Sequence, residues 1–464
     1  MMKKAALHNL GCKVNSYETE VMGQKLREKG YEIVPFDSVA DVYIVNTCTV
    51  TNIADRKSRQ LLHRARQKNP EAVVVAVGCY VQTGQEAIRK DDSIDLAIGN
   101  NHKGEIAELL EEFLEKRGGG KRRDCVVTDI NHTSEYEEMQ LERSEEHIRV
   151  HVKIQDGCNQ FCSYCAIPYA RGRVRSRRAE DILTEVRGIA ERGFREIVLT
   201  GIHISSYGID LDDEAWKRGE SVPMRRGDGL VYRGAGKLVE LVELLCQIPG
   251  IERIRLGSLE PRIVTEEAVR RLAALPKLCP HFHLSLQSGC DATLKRMNRH
   301  YTTGEYYSSV ELLRRAFSHP AITTDVIVGF PGETEEEFAE TERFLEKVCF
   351  YEMHIFRYSK RQGTVAAELQ GQVPEDVKAA RSDRLFEMER RQSEEFRRTY
   401  IGQEVEILTE DTEEIDGKLW RVGHTRDYVK VATEEKEARH SNAMERVRVQ
   451  GFLTDKMLAA VPAQ

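Results

Sequence analysis

Hydrophobic and polar positions alternate along the first 115 residues as they do in buried strands followed by amphipathic helices. Short apolar runs indicate strands, and apolar positions three and four residues apart indicate helices. The expected strands are Lys4–Leu10, Val42–Asn46, Ala72–Val77 and Asp95–Ile98, and the expected helices are Tyr17–Lys29, Ile53–Lys68 and Lys103–Lys116. This alternation predicts an α/β domain with a flavodoxin-like parallel sheet at residues 1–117.

The same alternation starts again at Ile148 and continues to Tyr358. Helices are expected near residues 179–192, 237–248, 265–275, 304–317 and 334–348. The strands between them are Ile148–Gln155, Glu196–Thr200, Arg253–Gly257, Phe282–Gln287, Ile322–Gly329 and Glu352–Tyr358. Six β/α units predict a partial or full β/α barrel, which we place at residues 144–378. The long, charged and Gly-rich loop Ile209–Gly236 interrupts it as an insertion.

The remaining segments connect or follow these two domains. Residues 118–143 are Gly-rich and basic, then polar and acidic, and predict a linker with one short strand around Cys125–Asp129. Residues 379–395 predict a helical connector. Short strands are then expected at Glu404–Thr409, Lys418–Val422, Tyr428–Ala432 and Arg446–Gly451. They predict a small all-β module at residues 396–458.

Composition narrows the class of protein. With 40% hydrophobic and 31% charged residues, the 464-residue chain has the balance of a soluble globular protein. It contains no run of about 18 apolar residues, the length needed to cross a membrane, so no membrane span is expected. The N-terminus has no apolar stretch typical of a signal peptide, so we expect a cytoplasmic protein. Structural disulfides are rare there, and the 11 cysteines are therefore candidates for metal ligands, catalytic thiols or core residues. The net charge of −7 argues against a generally basic nucleic-acid binder but allows a local basic patch.

Three cysteines, which we name the loop triad, stand directly after the first strand of the expected barrel. Cys158, Cys162 and Cys165 have C-x3-C-x2-C spacing, whereas zinc sites usually pair cysteines as C-x2-C and need four ligands. Three thiolates suit an iron–sulfur cubane with one open iron, which could bind S-adenosylmethionine (SAM) and pass an electron to it. The alternative, three unrelated loop cysteines, is disfavoured by the preceding Gly157 and the aromatic Tyr164. The motif and the six β/α units resemble the radical SAM superfamily.

Three more cysteines, which we name the sheet triad, share one structural position in the N-terminal domain. Cys12, Cys48 and Cys79 each follow the end of an expected strand. Because the carboxyl ends of parallel strands meet at one edge of a sheet, folding could bring these thiolates together without a local motif. They suit a second cluster, and the alternative is three buried core cysteines. The other five cysteines follow no such pattern, and we interpret them as packing residues.

Seven sequence strings together resemble one family, the radical SAM methylthiotransferases (MiaB-like). They are LGCKVNSYETE from Leu10, VNTCTVTNIAD from Val45, VGCYVQ from Val77, DGCNQFCSYCAIPYARGRVRSR from Asp156, LGSLEP from Leu256, HLSLQSGCDATLKRMNRHY from His283 and DVIVGFPGETEEEF from Asp325. The resemblance extends from about residue 3 to residue 455 and likens the C-terminal module to the RNA-binding TRAM fold.

The resemblance implies a transferase with two [4Fe–4S] clusters and SAM as cofactors. The loop triad would hold the cluster that cleaves SAM, and the sheet triad would hold an auxiliary cluster. One SAM would methylate a sulfide at the auxiliary cluster, and a second would be split to a radical that removes hydrogen from the target carbon. SAM is expected across the carboxyl ends of the barrel strands, with contact candidates Tyr164, Thr200, Gly201, Ser258, Glu260 and Gln287.

The resemblance also favours one substrate. Lys13 and the run Tyr17–Glu20 are similar to the subgroup acting on N6-threonylcarbamoyladenosine at position 37 of tRNA, beside the anticodon. The implied reaction adds a methylthio group at C2 and gives 2-methylthio-N6-threonylcarbamoyladenosine. The alternatives within the family are isopentenyladenosine of tRNA and an aspartate of a ribosomal protein. The alternative from another class is a non-catalytic iron–sulfur RNA-binding sensor, which would not cleave SAM.

Basic residues beside the loop triad are candidates for tRNA contacts. Five arginines in eight residues could neutralise phosphates, and a solvated surface is the alternative: Arg171, Arg173, Arg175, Arg177 and Arg178. Lys121–Arg123 is a second basic segment, whereas residues 396–464 carry 11 Lys/Arg against 13 Asp/Glu. The other implied partners are a reductant such as flavodoxin or ferredoxin and the iron–sulfur assembly machinery, with no membrane.

Overall fold

The N-terminal domain is a parallel sheet covered by helices. The structure, a computed structural model, describes residues 2–117, 123–141, 148–211, 230–435 and 442–463. The sheet order is β2-β1-β3-β4-β5-β6. Its strands are β1 (Lys4–Asn9), β2 (Glu32–Ile33), β3 (Val42–Thr47), β4 (Val73–Gly78), β5 (Leu96–Ile98) and β6 (Asp124–Val126). Its helices are α1 (Lys13–Glu28), α2 (Asn52–Lys68), α3 (Cys79–Thr83), α4 (Gln85–Lys90) and α5 (Ile106–Arg117).

The central strands of this sheet are buried on both faces. Every residue of β3 and β4 is buried, as continuous apolar runs in parallel sheets require. The edge strand β6 is a correction to the sequence analysis, which places it in a linker. It pairs in parallel with β5, from Leu96 opposite Asp124 to Ile98 opposite Val126, and so completes the first domain.

The middle domain is a partial β/α barrel. Its strands are β7 (Arg149–Asp156), β8 (Arg175–Ser176), β9 (Glu196–Gly201), β10 (Arg253–Leu256), β11 (His281–His283), β12 (Ala321–Val328) and β13 (Glu352–Arg357). Its helices are α6 (Ile167–Arg171), α7 (Ala179–Glu191), α8 (Leu230–Cys246), α9 (Glu266–Ala273), α10 (Asp291–Arg296), α11 (Thr303–Ala316), α12 (Glu335–Val348) and α13 (Val365–Glu368).

The six longer strands of this domain run parallel in the order β7-β9-β10-β11-β12-β13. Two isolated parallel bridges, Ile254 with Leu278 and Leu259 with Leu284, join the two halves of the sheet, and the short β8 adds antiparallel to β7. The six strands match the six expected from the sequence. Local chemistry sets the helix starts: α12 begins with a capping box between Thr334 and Glu337 and carries three glutamates in its first turn.

The C-terminal module is a closed five-stranded barrel that follows the long helix α14 (Glu375–Arg398). Its order is β14-β15-β16-β18-β17. The strands are β14 (Glu404–Ile415), β15 (Lys418–His424), β16 (Lys430–Glu435), β17 (Met444–Thr454) and β18 (Met457–Pro462). The sequence analysis expects only four strands, and β18 extends past the expected end at residue 458.

The C-terminal barrel packs against the amino ends of the middle-domain strands. Arg253 at the start of β10 donates to the carbonyl of His424 at 2.8 Å, and Arg255 donates to the carbonyl of Arg426 at 2.9 Å. Arg149 at the start of β7 forms an ion pair with Glu410 at 2.6 Å. The module therefore forms the floor of the partial barrel, at the end opposite the loop triad. In the part of the chain that the structure describes, no helix is long and apolar enough to cross a membrane.

Candidate functional site

The loop triad lies at the carboxyl end of β7, where the chain turns sharply. Gly157 has a φ of +70°, and a Cβ there would lie 1.8 Å from the carbonyl oxygen of Arg173, so glycine is required. The amide of Cys158 donates to the carbonyl of Gly172 at 3.0 Å, and the amide of Cys165 donates to the carbonyl of Cys162 at 2.9 Å. Cys158 is buried and the other two cysteines are half-buried. The fold therefore places all three thiols on one short loop.

The thiols of the loop triad lie close enough to influence one another. Burial, followed by the neighbouring Cys162 and Cys165, raises the pKa of Cys158, and burial and Cys162 raise the pKa of Cys165 to about 12. Positive charge is therefore needed to hold them as thiolates, and iron would supply it. Arg299 donates from Nη1 to the sulfur of Cys162 at 3.3 Å. The sequence analysis misses Arg299 because it lies 137 residues from its sulfur partner.

The sheet triad converges at one edge of the N-terminal sheet. Cys12 follows β1, Cys48 follows β3 and Cys79 follows β4, and these three strands are neighbours. A Cβ on Gly11 would lie 2.9 Å from the sulfur of Cys48, so the chain before Cys12 passes directly over that thiol. Burial is the main cause that raises the pKa of Cys48 to about 11, and the charges of Cys79 and Cys12 add to it. Cys12 is accessible to solvent, yet the surrounding protein still desolvates its thiol and raises its pKa.

The thiol spacing argues for a cluster rather than a single metal ion. In a tetrahedral zinc site with Zn–S bonds of about 2.3 Å, the sulfurs lie about 3.8 Å apart. Within the described residues, the one group of three His, Cys, Asp or Glu ligand atoms lying within 4.8 Å of one another is His283, Asp325 and His354. Both cysteine triads are therefore more widely spaced than a mononuclear site. Each supplies three thiols, which fits a [4Fe–4S] cluster with one corner free of cysteine.

A buried ion network connects the two triads. Its members are Glu18, Lys103, Lys153, Asp156 and Arg171, all at most 4% exposed. Glu18 is paired with Lys103 at 2.5 Å, with Lys153 at 2.7 Å and with Arg171 at 2.6 Å. Asp156 is paired with Lys153 at 2.7 Å and with Arg171 at 3.0 Å. Three cations face two carboxylates, so the network carries an excess positive charge.

This network fixes the sheet triad relative to the loop triad. Glu18 lies on α1, which begins after Cys12, and Asp156 ends β7, which leads to Cys158. Burial opposes ionisation of Glu18, but Arg171 and the two lysines of the network hold its pKa well below its usual range. Arg171 also lowers the pKa values of Cys12 and Cys48, which favours thiolates at the sheet triad.

Asn100 makes a further connection between the two sites. Its Nδ2 donates to the sulfur of Cys79 at 3.5 Å and to the carbonyl of Ala170 at 2.7 Å. Ala170 belongs to α6, the helix that follows the loop triad. No local sequence signal identifies Asn100, because its partners come from two other segments of the chain.

The structure corrects the proposed RNA role of three arginines. Arg171, Arg175 and Arg177 are at most 1% exposed. Arg175 donates to the carbonyls of Arg171 and Arg173, and Arg177 is paired with two carboxylates, those of Glu138 and Glu185. The expectation that these three side chains contact RNA is therefore wrong, because their guanidinium groups neutralise internal charges and carbonyls.

The other basic residues keep their status as RNA-contact predictions. Arg173 is half-buried with its guanidinium 4.6 Å from the ring centroid of Phe161, and Arg178 is exposed. Arg123 is exposed and paired with Asp92. Lys121 and Arg122, and residues 212–229 of the insertion, lie outside the described residues.

The expected SAM contacts lie near the carboxyl ends of the barrel strands with unequal exposure. Thr200, Glu260 and Gln287 are buried, Gly201 and Tyr164 are half-buried, and Ser258 is exposed. Tyr164 packs edge-on against Phe330, with ring centroids 6.4 Å apart. Glu260 is paired with Arg262 at 2.6 Å, and although burial opposes ionisation, His203 and Arg262 lower its pKa to about 2. Contact of these residues with SAM stays a prediction.

Comparisons with known proteins agree with this geometry. Residues 152–345 match the family model described as Radical SAM superfamily, and residues 4–99 match the one described as Uncharacterized protein family UPF0004. A solved structure of the radical S-adenosylmethionine methyltransferase TsrM from Kitasatospora setae has a TM-score of 0.54 at 15% identity, over 76% of this chain and 73% of that one. The likeness concerns the fold. The partial barrel with its thiol loop thus defines a radical SAM protein.

Relatives that match most of this chain show which kind of radical SAM protein it is. The "Threonylcarbamoyladenosine tRNA methylthiotransferase MtaB" of Bacillus subtilis (strain 168) is 39% identical, over 93% of this chain and 90% of its own length. The protein of the same name from Aquifex aeolicus is 40% identical, over 87% and 92%. A "tRNA-2-methylthio-N(6)-dimethylallyladenosine synthase" of Acetivibrio thermocellus is 36% identical, over 91% and 84%. The chain belongs to the radical SAM tRNA methylthiotransferase family.

Proposed function

We propose that this protein adds a methylthio group to C2 of N6-threonylcarbamoyladenosine beside the tRNA anticodon. Relatives named for that substrate match the chain over most of its length. The observation that carries the proposal is the buried ion network, which joins the strand before the loop triad to the helix after the sheet triad. A reaction that needs a radical and a sulfur donor at one carbon requires two such centres in a fixed arrangement.

Each triad has a distinct role in this proposal. When bound, the [4Fe–4S] cluster at Cys158, Cys162 and Cys165 supplies the electron for SAM cleavage, and the auxiliary [4Fe–4S] cluster at the sheet triad supplies sulfur. Arg299 would tune the reduction potential through its hydrogen bond to the sulfur of Cys162. The excess positive charge of the ion network would offset the negative thiolates of the sheet triad. Asn100 would orient the sulfur of Cys79.

The partners follow from this chemistry. Reductive cleavage of SAM requires an external electron, so we propose a reductant of the flavodoxin or ferredoxin type and loading by the iron–sulfur assembly machinery. We propose that the protein acts in the cytoplasm. Arg173 and Arg178 are the remaining tRNA-contact candidates beside the loop triad, because their side chains are not enclosed in the ion network.

Mass spectrometry of tRNA nucleosides tests the proposal. Cells lacking the protein should lose 2-methylthio-N6-threonylcarbamoyladenosine and accumulate the unmethylthiolated nucleoside. Expression of the wild-type chain should restore the product, and the Cys158→Ala variant should not. If the cells instead lose the methylthio group on isopentenyladenosine of tRNA, or on an aspartate of a ribosomal protein, the protein has one of the other two substrates known in the family. If no methylthio product changes, the non-catalytic RNA-binding sensor becomes the better interpretation.

A further inference from the structure

Three polar side chains meet on the inner face of the middle barrel, and we name them the lumen patch. They are His283 on β11, Asp325 on β12 and His354 on β13, with one ligand atom from each lying within 4.8 Å of the others. His283 Nε2 lies 3.3 Å from Asp325 Oδ2, and its Nδ1 lies 3.0 Å from Thr323 Oγ1. The His354 ring stacks on that of His283 with centroids 5.6 Å apart. The patch is thus a preorganised set of hydrogen-bonding groups.

Strand alternation places the lumen patch away from the apolar core. Phe282, Ile322 and Val326 are buried in the core cluster beneath the surrounding helices. Neighbouring residues of a strand point to opposite faces, so His283 and Asp325 face the interior of the barrel. Both are half-buried and His354 is exposed, which leaves all three accessible to a ligand.

Lys13, the first residue of α1, contributes a cation to the same space. Its side chain is exposed, and α1 packs against β7 and β9 of the same barrel. The pKa of His281, on the same strand as His283, is lowered by burial, then by Arg255, Lys13 and both histidines of the lumen patch. Arg149 and Arg255 are paired with glutamates. In the described parts of the chain, Lys13 forms no ion pair.

The two nucleosides named by the relatives differ in what they bring to this volume. A threonylcarbamoyl group carries a carboxylate, a hydroxyl and ureido N–H groups, whereas a dimethylallyl group is apolar. An apolar group would desolvate the ammonium and the imidazoles without giving them partners, which is unfavourable. We propose that Lys13 and the lumen patch bind the threonylcarbamoyl group of the substrate and thereby select it against dimethylallyladenosine.

Each side chain of the proposed site has a partner in the threonylcarbamoyl group. The Lys13 ammonium pairs with the carboxylate, and His354 donates a hydrogen bond to the same anion. Asp325, held by His283, accepts from the hydroxyl or a ureido N–H. This inference rests on the proposed function and gives a physical reason why a lysine directly after Cys12 would accompany this substrate.

Binding to matched RNA stem-loops tests the inference with the cluster-loaded enzyme. Three anticodon stem-loops would carry adenosine, N6-threonylcarbamoyladenosine or N6-dimethylallyladenosine at the same position, and dissociation constants would be measured by fluorescence anisotropy without oxygen. The wild type should prefer the threonylcarbamoyl stem-loop. Lys13→Met and His354→Phe should each reduce this preference about tenfold, the effect of one lost charge-assisted hydrogen bond, with binding of the adenosine stem-loop unchanged. His354→Gln, which keeps a donor, should retain most of the preference.

A control variant and a test of metal binding complete the experiment. His63→Phe makes the same change at an exposed position of α2 and should leave all three affinities unaltered. Unchanged preference in both Lys13→Met and His354→Phe would overturn the inference. So would Mn²⁺ binding by the wild type without RNA, seen as loss of the free-ion electron paramagnetic resonance signal and abolished by His354→Phe, because the patch would then be a metal site. A failure of the proposed function would give a different result. The wild-type enzyme would bind the threonylcarbamoyl stem-loop selectively but form no methylthio product.

Discussion

Replacing Arg171 by methionine removes the central cation of the buried ion network while retaining much of the side-chain volume. Arg171 is 1% exposed and contacts Glu18 at 2.6 Å and Asp156 at 3.0 Å. Removing one partner of a buried ion pair typically costs about 3–5 kcal/mol. Because Lys103 and Lys153 remain 2.5 and 2.7 Å from Glu18, we expect the lower end of this range, about 3 kcal/mol.

Urea unfolding followed by circular dichroism measures this loss. Arg178→Met makes the same substitution at an exposed arginine of the same cluster, and we expect its transition to match that of the wild type. A double-mutant cycle that combines Arg171→Met with Glu18→Gln tests the interaction between these two residues. If Arg171 and Glu18 act together, the double variant should lose less stability than the sum of the two single variants.

The same variant separates an internal role from RNA binding. If Arg171 contacted a phosphate, Arg171→Met would make tRNA affinity less dependent on salt and lower the slope of log Kd against log salt concentration by about one. The buried position predicts an unchanged slope. Wild-type stability of Arg171→Met together with a reduced slope would refute the assignment of Arg171 to the ion network.

Three further predictions concern the loop triad, the sheet triad and the floor of the barrel. Cys158→Ala should abolish formation of 5′-deoxyadenosine, whereas Cys48→Ala should retain part of it but give no methylthio product. The control Cys246→Ala, at a buried packing position, should form both products. Liquid chromatography measures both. Gly157→Ala directs a Cβ to 1.8 Å from a carbonyl oxygen, so iron analysis should show loss of one cluster, and full iron content would contradict the turn geometry. Burial raises the pKa of Asp427 to about 6, so the native state holds this proton more tightly than the unfolded chain and stability falls as pH rises from 3.8 to about 6. Asp427→Asn should therefore raise the melting temperature at pH 8 more than at pH 4, and equal shifts would count against it.

Hydrophobic periodicity predicts the parts of the fold that bury long apolar faces. The expected strands β1, β3 and β4 and the six barrel strands are present within a few residues of their expected ends. The short strand expected around Cys125–Asp129 corresponds to β6, but the sequence analysis places it in a linker and not in the first sheet. Its place depends on the neighbouring β5, which no local pattern can supply.

The candidate site was predictable where the chemistry is local or repeats a structural position. The loop triad lies within eight residues, and each cysteine of the sheet triad follows a strand. The direction of a side chain was harder to predict, as Arg171, Arg175 and Arg177 show, because a run of arginines has the same composition whether it faces solvent or buried carboxylates. Arg299, Asn100 and the lumen patch depend on contacts between distant segments.

The position of the C-terminal barrel has a consequence for how this enzyme could be shortened. Arg253 and Arg255 reach from Glu196 inside the middle domain to carbonyls of the C-terminal barrel. A chain ending before Glu404 would lose those acceptors and open the floor of the partial barrel to solvent, which would admit dissolved oxygen and thiols that quench carbon radicals. The module thus closes one end of the partial barrel, and its removal should uncouple SAM cleavage from product formation even on a short RNA substrate.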